Sequence, residues 1–190
     1  MTFPVSPWQA QRGTTLLEVL ITIVILAIGL LGLAGLQVRL QSSEMEAYQR
    51  SQALVLLNDM ASRIATNRAN AESYVTGSGN PLGGTAPCPA STAILAQADA
   101  SEWCAALQGA GETLGGENVG AMVGGRGCVE SLGGGEYLVT VAWQGLTPLS
   151  APPASVACGQ NLYDGAAGSA CSGDLCRRVI TTVVRIGNLT

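Results

Sequence analysis

A single carboxylate at the edge of a long apolar run is the residue whose chemistry most needs an explanation in this sequence. Glu18 directly precedes an uncharged run from Val19 to Leu36. A carboxylate in hydrocarbon costs about 2 to 3 kcal/mol or more, so such a group is normally paired with a cation or functional. We therefore predict that Glu18 pairs with a cation inside an apolar environment. A position among lipid head groups is the alternative.

Cysteine chemistry is the second candidate, and all six cysteines lie beyond the apolar run. An even number in this position favours disulfides in an oxidising compartment. A Cys88–Cys104 bridge would tie a loop to a short helix, and a Cys171–Cys176 bridge is locally feasible, but fifteen pairings of six cysteines are open. A metal site is the alternative. It is not favoured, because the chain has no histidine and the five-residue spacing of the last two cysteines differs from that of zinc knuckles. The cysteines are Cys88, Cys104, Cys128, Cys158, Cys171 and Cys176.

Nucleophilic catalysis is not supported by the residues present. Ser78 lies between glycines and Ser169 lies in a loop of small residues, but without histidine neither a Ser-His-Asp nor a Cys-His arrangement can form. Asp164 and Asp174 could bind Ca²⁺ in a glycine-rich loop, although no ligand run like an EF-hand is present. We predict a non-catalytic protein with no metal and no cofactor.

The charge balance argues against nucleic acid as a partner. The chain has 9 basic and 13 acidic residues and a formal net charge of −4. A surface that binds phosphate backbones needs clustered lysine and arginine, which this composition does not supply.

The element that positions Glu18 is predicted to be a membrane-spanning helix. The 18 residues from Val19 to Leu36 would form a helix about 27 Å long, close to the ~30 Å of a bilayer core. Arg12 precedes the span, which favours a cytoplasmic N-terminus. Three glycines, spaced by three residues, either allow neighbouring helices to approach closely or are simply tolerated in lipid. These glycines are Gly29, Gly32 and Gly35.

An amphipathic helix is predicted to follow without interruption, because residues 37–68 contain neither glycine nor proline. We therefore expect one helix from about Thr14 to Arg68. Glu46 with Arg50 and Asp59 with Arg63 have the spacing of helical ion pairs. The apolar stripe predicted to hold the rest of the protein consists of Leu40, Ala47, Leu54, Leu57, Ala61 and Ile64.

The remainder, residues 71–190, is predicted to be a globular head. Asp99 and Glu102 have the pattern of a capping box at the start of a short helix. Alternating apolar residues predict strands at residues 128–130, 136–143 and 177–186, the first two joined as a hairpin by residues 131–135. The head is thus a small antiparallel sheet that covers the outer half of the long helix.

These residues carry a resemblance to a known family. Gly13 followed by Thr14-Thr15-Leu16-Leu17-Glu18 and an apolar helix is similar to the prepilin cleavage motif of type IV pilins and type II secretion pseudopilins. Residues 28–37, which read IGLLGLAGLQ, resemble the V-type minor pilin, also called the type IV pilus modification protein. Looser resemblances in the head are Ala98-Asp99 with Trp103, residues 137–143, and Cys176-Arg177-Arg178-Val179.

The resemblance implies a type IV pilin-like α+β fold, in which a long N-terminal helix packs on a small antiparallel sheet stapled by disulfides. It divides the chain into a cleaved leader (1–13), a transmembrane helix half (14–38), an amphipathic half (39–70) and the head (71–190). A prepilin peptidase would cleave after Gly13 and methylate the new amine of Thr14. Most family members have phenylalanine where this chain has Thr14. In an assembled filament, Glu18 would then pair with the Thr14 amine of a neighbouring subunit.

The function implied is that of a minor pilin that helps to initiate pilus assembly, is incorporated at or near the tip, and supports twitching motility and adhesion. Its implied partners are other minor pilins, the major pilin, the prepilin peptidase, the inner-membrane assembly platform and membrane lipid. It would reside in the bacterial inner membrane, with a periplasmic head, before it enters the pilus at the cell surface. The alternatives are a type II secretion minor pseudopilin and a membrane-tethered periplasmic binding or adhesive domain.

Overall fold

The computed structural model describes Gly13, residues 15–120 and residues 122–187. Its contacts divide the chain into two compact units, one ending at Ser43 and the other beginning at Glu44. A single helix, α1 (Leu16–Thr66), contributes residues to both units. The predicted helix is therefore present, with bounds two residues inside the expected ones at each end.

The part of α1 in the first unit buries none of its apolar side chains within the chain. Every side chain from Leu16 to Gln41 is exposed. Among the described residues, α1 is the one helix that is long and apolar enough to cross a membrane, judged by length and composition.

The part of α1 in the second unit buries one side against the head. The buried positions recur every three or four residues, which keeps them on one face of a helix. They are Gln49, Ala53, Leu57, Met60 and Ile64.

The apolar stripe predicted from the sequence is only partly correct. Leu57 and Ile64 are buried as expected and Ala61 is half-buried, but Leu40, Ala47 and Leu54 are exposed. The head contacts a face that includes the polar Gln49, which a count of apolar residues leaves out.

Two shorter helices belong to the head, a 3₁₀ helix (Arg68–Tyr74) and α2 (Leu95–Leu107). The predicted capping box at Asp99 is wrong, because α2 begins four residues earlier with Ile94 at the capping position. Asp99 lies inside α2, where its carboxylate accepts hydrogen bonds from Arg63 and Tyr74. The role of Asp99 therefore comes from partners distant in sequence and not from capping its own helix.

The strands of the head are β1 (Leu82–Gly83), β2 (Thr113–Leu114), β3 (Glu117–Asn118), β4 (Arg126–Gly133), β5 (Glu136–Gln144) and β6 (Arg177–Arg185). Four of them form the main antiparallel sheet, in the order β1-β4-β5-β6, and β2 pairs separately with β3. The three long strands are those predicted. The hairpin turn is tighter than predicted, because β4 continues to Gly133 through an irregularity after Ser131.

The core lies between the sheet and the two α-helices. Alternate residues of β5, among them Val139, Val141 and Trp143, are buried together with α1 side chains such as Ile64 and with Trp103 of α2. Gly127 of β4 permits this packing, since a Cβ at that position would collide with the Trp103 ring.

Three disulfides staple the head, and the described cysteines are all paired. Cys88–Cys104 ties a loop to α2, Cys171–Cys176 links two cysteines five positions apart, and Cys128–Cys158 ties β4 to the segment between β5 and β6. The first two are the bridges put forward from the sequence. The predicted fold class is confirmed: α+β, with a long apolar N-terminal helix, a small antiparallel sheet and disulfides.

Candidate functional site

The start of α1 is stabilised by Thr15, the residue three positions before Glu18. The Glu18 amide donates to Thr15 Oγ1 at 3.3 Å and to the Thr15 carbonyl oxygen at 3.0 Å. Threonine followed three residues later by glutamate is the capping-box pattern. A negative charge in the first turn also interacts favourably with the helix dipole. The sequence reading missed this cap because it considered Glu18 only as a charge to be neutralised.

Glu18 itself is exposed in the isolated chain. Within the part of the chain that the structure describes, no arginine forms an ion pair with it. Gly13, on the amino side of the predicted cleavage point, is exposed as well. Thr14, the residue predicted to be released and methylated, lies outside the described residues.

The three glycines of the apolar run lie on an open helix surface. A Cβ built at Gly29, Gly32 or Gly35 meets no atom within 4 Å. Larger residues would therefore fit within the isolated chain. If these glycines have a packing role, it must involve a second molecule.

A charged cluster at the C-terminal end of α1 attaches the helix to α2. Arg63 donates to Asp59 at 3.0 Å, to Asp99 at 2.7 Å and to Glu102 at 2.8 Å. Partial burial lowers the pKa of Arg63, but the hydrogen bonds to the three carboxylates outweigh it, so the pKa is raised overall. The predicted Asp59–Arg63 pair is thus present, within a larger network.

Tyr74 extends this network from the end of the 3₁₀ helix. Its hydroxyl donates to Asp99 and accepts a hydrogen bond from Asn67 at 3.1 Å. Burial raises the pKa of Tyr74, and so does the hydrogen bond to the Asp99 carboxylate. Trp103 adds a link to α1 by donating to the Leu56 carbonyl oxygen at 2.9 Å. The end of α1 is therefore held by several polar contacts.

Near its other end in this unit, α1 binds the loop after β5 through Glu46. The carboxylate accepts from the Leu146 amide at 3.2 Å and lies 3.6 Å from Arg178 Nη2. The predicted Glu46–Arg50 pair is therefore wrong, because Glu46 is directed toward the head. Arg50 has no carboxylate partner among the described residues.

A buried arginine organises the segment between β5 and β6. Arg177 donates to the carbonyl oxygens of Val156 at 2.7 Å and Cys158 at 3.1 Å. Its Nε lies 3.2 Å from Asp174 Oδ2, without the geometry of a hydrogen bond. Asp164 in turn accepts the Asp174 amide at 2.8 Å. Both aspartates considered for Ca²⁺ therefore support the loop.

Metal and nucleophile chemistry gain no support from the geometry. Among the described residues, no group of three or more histidine, cysteine, aspartate or glutamate side chains is arranged to hold a metal ion. Ser169 donates its hydroxyl hydrogen to the Cys171 carbonyl oxygen at 3.1 Å, which is a local loop contact.

Comparison with known proteins identifies one feature of the chain. The family model described as the prokaryotic N-terminal methylation motif matches residues 8–34. No curated protein and no solved structure gives a significant match. The matched residues contain Gly13, Thr14, the Thr15 cap and Glu18, followed by most of the apolar run. The chain thus carries the prepilin-type cleavage and methylation motif of type IV pilins, which indicates a protein of the type IV pilin and pseudopilin class.

Proposed function

We propose that this protein is a minor pilin of a type IV pilus that helps to initiate pilus assembly in the inner membrane and is incorporated at or near the tip. It is a structural subunit and not an enzyme. The observation that carries the proposal is the prepilin-type motif at residues 8–34, followed by an apolar helix that leads into a disulfide-bonded head.

Cleavage after Gly13 would create a positively charged partner for the Glu18 carboxylate. The new amine of Thr14 is a cation four residues from Glu18, at nearly the same membrane depth. In a staggered bundle of helices, the amine of one subunit would neutralise Glu18 of its neighbour. This pairing removes the cost of a lone carboxylate in an apolar filament core.

The glycines and the exposed apolar surface fit the same proposal. Residues 16–41 expose apolar side chains that the chain does not cover itself, and lipid would cover them before assembly. Neighbouring pilin helices would replace lipid in the filament, and Gly29, Gly32 and Gly35 would let them approach closely. We propose a single-pass anchor with a cytoplasmic N-terminus and a periplasmic head, the compartment in which the disulfides form.

N-terminal sequencing of the protein from membranes and from sheared pili tests the processing step. We expect a mature chain that begins with methylated Thr14 in both fractions. A chain in the pili that still begins at Met1 would contradict the proposal. The fraction that contains the protein also distinguishes a pilus subunit from a protein that stays in the membrane.

Replacement of Glu18 tests the charge-pairing step. Glu18→Ala should leave cleavage and membrane insertion intact and lower the amount of the protein in sheared pili by about tenfold, since one unpaired amine would remain in the apolar core. Glu44→Ala is the matched control, because Glu44 is an exposed acid of the same helix and should have little effect. Equal incorporation of both variants would refute the charge-pairing role.

The motif is shared by type II secretion pseudopilins, so a deletion strain must separate the two systems. Loss of pili and of twitching motility supports the proposal, whereas loss of protein export with normal pili identifies a pseudopilin. A membrane-tethered binding or adhesive domain is distinguished by Gly13→Leu, designed to block cleavage. Such a domain would stay functional, but a pilin would not.

A further inference from the structure

Among the described residues, the outward backbone groups at the outer edge of the main sheet have no strand partner. β6 is the last strand in the order β1-β4-β5-β6 and pairs with β5 from Glu136↔Arg185 to Gln144↔Arg177 without a break. It has nine residues, and six of them are valine, isoleucine or threonine. A long edge of this kind readily pairs with another chain unless something protects it.

The hydrogen bonds at both ends of the pairing show which groups face outward. Ile186 donates to the Gly135 carbonyl oxygen at 2.8 Å, and Gly145 donates to the Cys176 carbonyl oxygen at 2.8 Å. In an antiparallel pair, hydrogen-bonded positions alternate with non-bonded ones. The even-numbered residues of β6 therefore bond to β5. The odd-numbered residues Val179, Thr181, Val183 and Arg185 direct their N–H and C=O groups away from it.

A groove runs beside this edge. It has a volume of about 420 Å³ and lies between α1 and the ends of β5 and β6. Its apolar lining includes Trp143, Leu149, Val179 and Ile180. Ile180 is only half-buried although its neighbour across the strands, Val141, is fully buried, so α1 leaves the inner side of β6 partly open.

The charges at the groove favour an acidic occupant. Arg50 lines the groove and is exposed. Glu46 also lines the groove, but its carboxylate binds the Leu146 amide and lies 3.6 Å from Arg178 Nη2. A second arginine, Arg178, also lines the groove. A carboxylate at the groove would therefore meet an arginine without a carboxylate partner among the described residues.

The same charges argue against a second copy of this chain as the occupant. β6 contains no aspartate or glutamate, so the β6 strand of a second copy would bring no carboxylate to Arg50.

We propose that the free edge of β6 and the adjacent groove bind an extended acidic segment of another protein chain, which joins the sheet as a fifth strand. Its backbone would bond to the outward groups of Val179, Thr181 and Val183. Alternate side chains would enter the groove, where an aspartate or glutamate would pair with Arg50. In this binding mode backbone hydrogen bonds supply affinity and side-chain pockets supply specificity.

The inference concerns the head and does not require that the protein enters a filament. Its test uses the full chain in detergent micelles and a fluorescent eight-residue peptide of alternating valine and threonine with one glutamate. Binding is followed by fluorescence anisotropy. We expect saturable binding that weakens about threefold when the glutamate of the peptide is replaced by glutamine, as for one exposed ion pair. Arg50→Gln should weaken binding of the glutamate peptide by the same factor of about three. It should not change binding of the glutamine peptide.

Two changes remove the backbone hydrogen bonds. Thr181→Pro deletes an outward N–H without touching the ladder to β5, and should weaken binding about tenfold. Thr181→Ala keeps the N–H and is the matched control, expected within about twofold of the unchanged protein. A peptide methylated on its edge-facing amide nitrogens should also bind about tenfold more weakly, and it requires no change in the protein.

Three results would overturn the proposal. The first is no saturable binding of the glutamate peptide to the unchanged protein. The second is equal binding of the methylated and unmethylated peptides. The third is a homodimer of the full chain, measured by sedimentation in micelles, that is lost in Thr181→Pro, because the occupant of the edge would then be a second copy.

Discussion

The two parts of α1 are both helical, but their side chains differ in burial. From Leu16 to Gln41 the helix exposes every side chain, most of them apolar. From Glu44 to Thr66 the helix has one exposed face and one buried face, and the buried face contributes to the core of the head. Helix α1 thus combines a segment with exposed side chains and a segment that forms part of the core of the head.

This difference shows where the stability of each part comes from. A helix gains most of its stability from packing of its apolar side chains. For the second part, the head supplies that packing, together with the polar contacts of Arg63 and Glu46. In the proposed function, lipid or other subunits supply it for the first part. Substitutions in the two parts should therefore have separate consequences, one for folding of the head and one for membrane insertion and assembly.

The largest effect on the head should come from Arg177→Ala. The side chain is 1% exposed, and its loss leaves Asp174 buried without its cation. We expect the free energy of unfolding to fall by about 3–5 kcal/mol, as for other broken buried pairs. Denaturant unfolding of the full chain in micelles, with the disulfides intact, measures it. Membrane insertion should be unchanged, and a fall below 1 kcal/mol would show that Arg177 does not support the head.

The comparison between the two parts of α1 is tested directly by one kind of substitution at two sites. Ile64→Ala removes a fully buried side chain and should lower the free energy of unfolding by about 2–5 kcal/mol. Ile23→Ala removes an exposed side chain from the first part and should change it by less than about 0.5 kcal/mol. Thermal or denaturant unfolding in micelles compares the two. Equal losses would show that the first part also belongs to the folded unit.

Alkaline pH should weaken the head through Tyr74. Because the folded-state pKa of Tyr74 is raised by burial and by Asp99, its contribution to stability is complete below the ordinary tyrosine pKa of about 10. It is lost as pH rises from there through the raised folded-state pKa. Tyr74→Phe should lower stability at neutral pH by about 1 kcal/mol and make the alkaline loss shallower. An unchanged alkaline profile in this variant would exclude Tyr74 as a cause.

The smallest effect on folding should come from Gly32→Ala. A Cβ at Gly32 meets no atom within 4 Å, so unfolding of the head should change by less than about 0.5 kcal/mol. Incorporation into sheared pili should nevertheless fall, because a close helix–helix contact would be obstructed. Quantitative immunoblots of pili and membranes measure the ratio. Unchanged incorporation would mean that the glycine is only tolerated.

Local patterns in the sequence predicted the elements well where short-range physics decides them. The uncharged run, the absence of glycine and proline after it, and the alternation in β5 and β6 are patterns that a helix or a strand satisfies by itself. The predictions were wrong where a distant partner competes for the same side chain. Asp99 was predicted to cap a helix, but it accepts hydrogen bonds from Arg63 and Tyr74. Glu46 was predicted to pair with Arg50, but it binds the loop after β5.

The buried face of α1 shows the same limit. The periodicity of the sequence predicts one apolar stripe along the helix, and this stripe includes Leu54 but not Gln49. In the structure Leu54 is exposed and Gln49 is buried. Only the shape of the head determines which face it covers. The prepilin-type motif at residues 8–34, by contrast, is contiguous and is recognised from the sequence, whereas the roles of Gly13, Glu18 and the three glycines stay predictions. The Thr15 cap was visible there too and was overlooked.

The sequence alone determined that this chain carries a prepilin-type N-terminus, a helix able to span a membrane and a cysteine-bonded α+β head, because each depends on contiguous residues or on composition. Tertiary structure decided which acids hold α1 to the head, how Cys128 reaches Cys158, and that β6 lies at an open edge beside an arginine without a carboxylate partner among the described residues. These features depend on residues as far apart in sequence as Glu46 and Arg178, and their proximity arises only when the sheet and the helices pack.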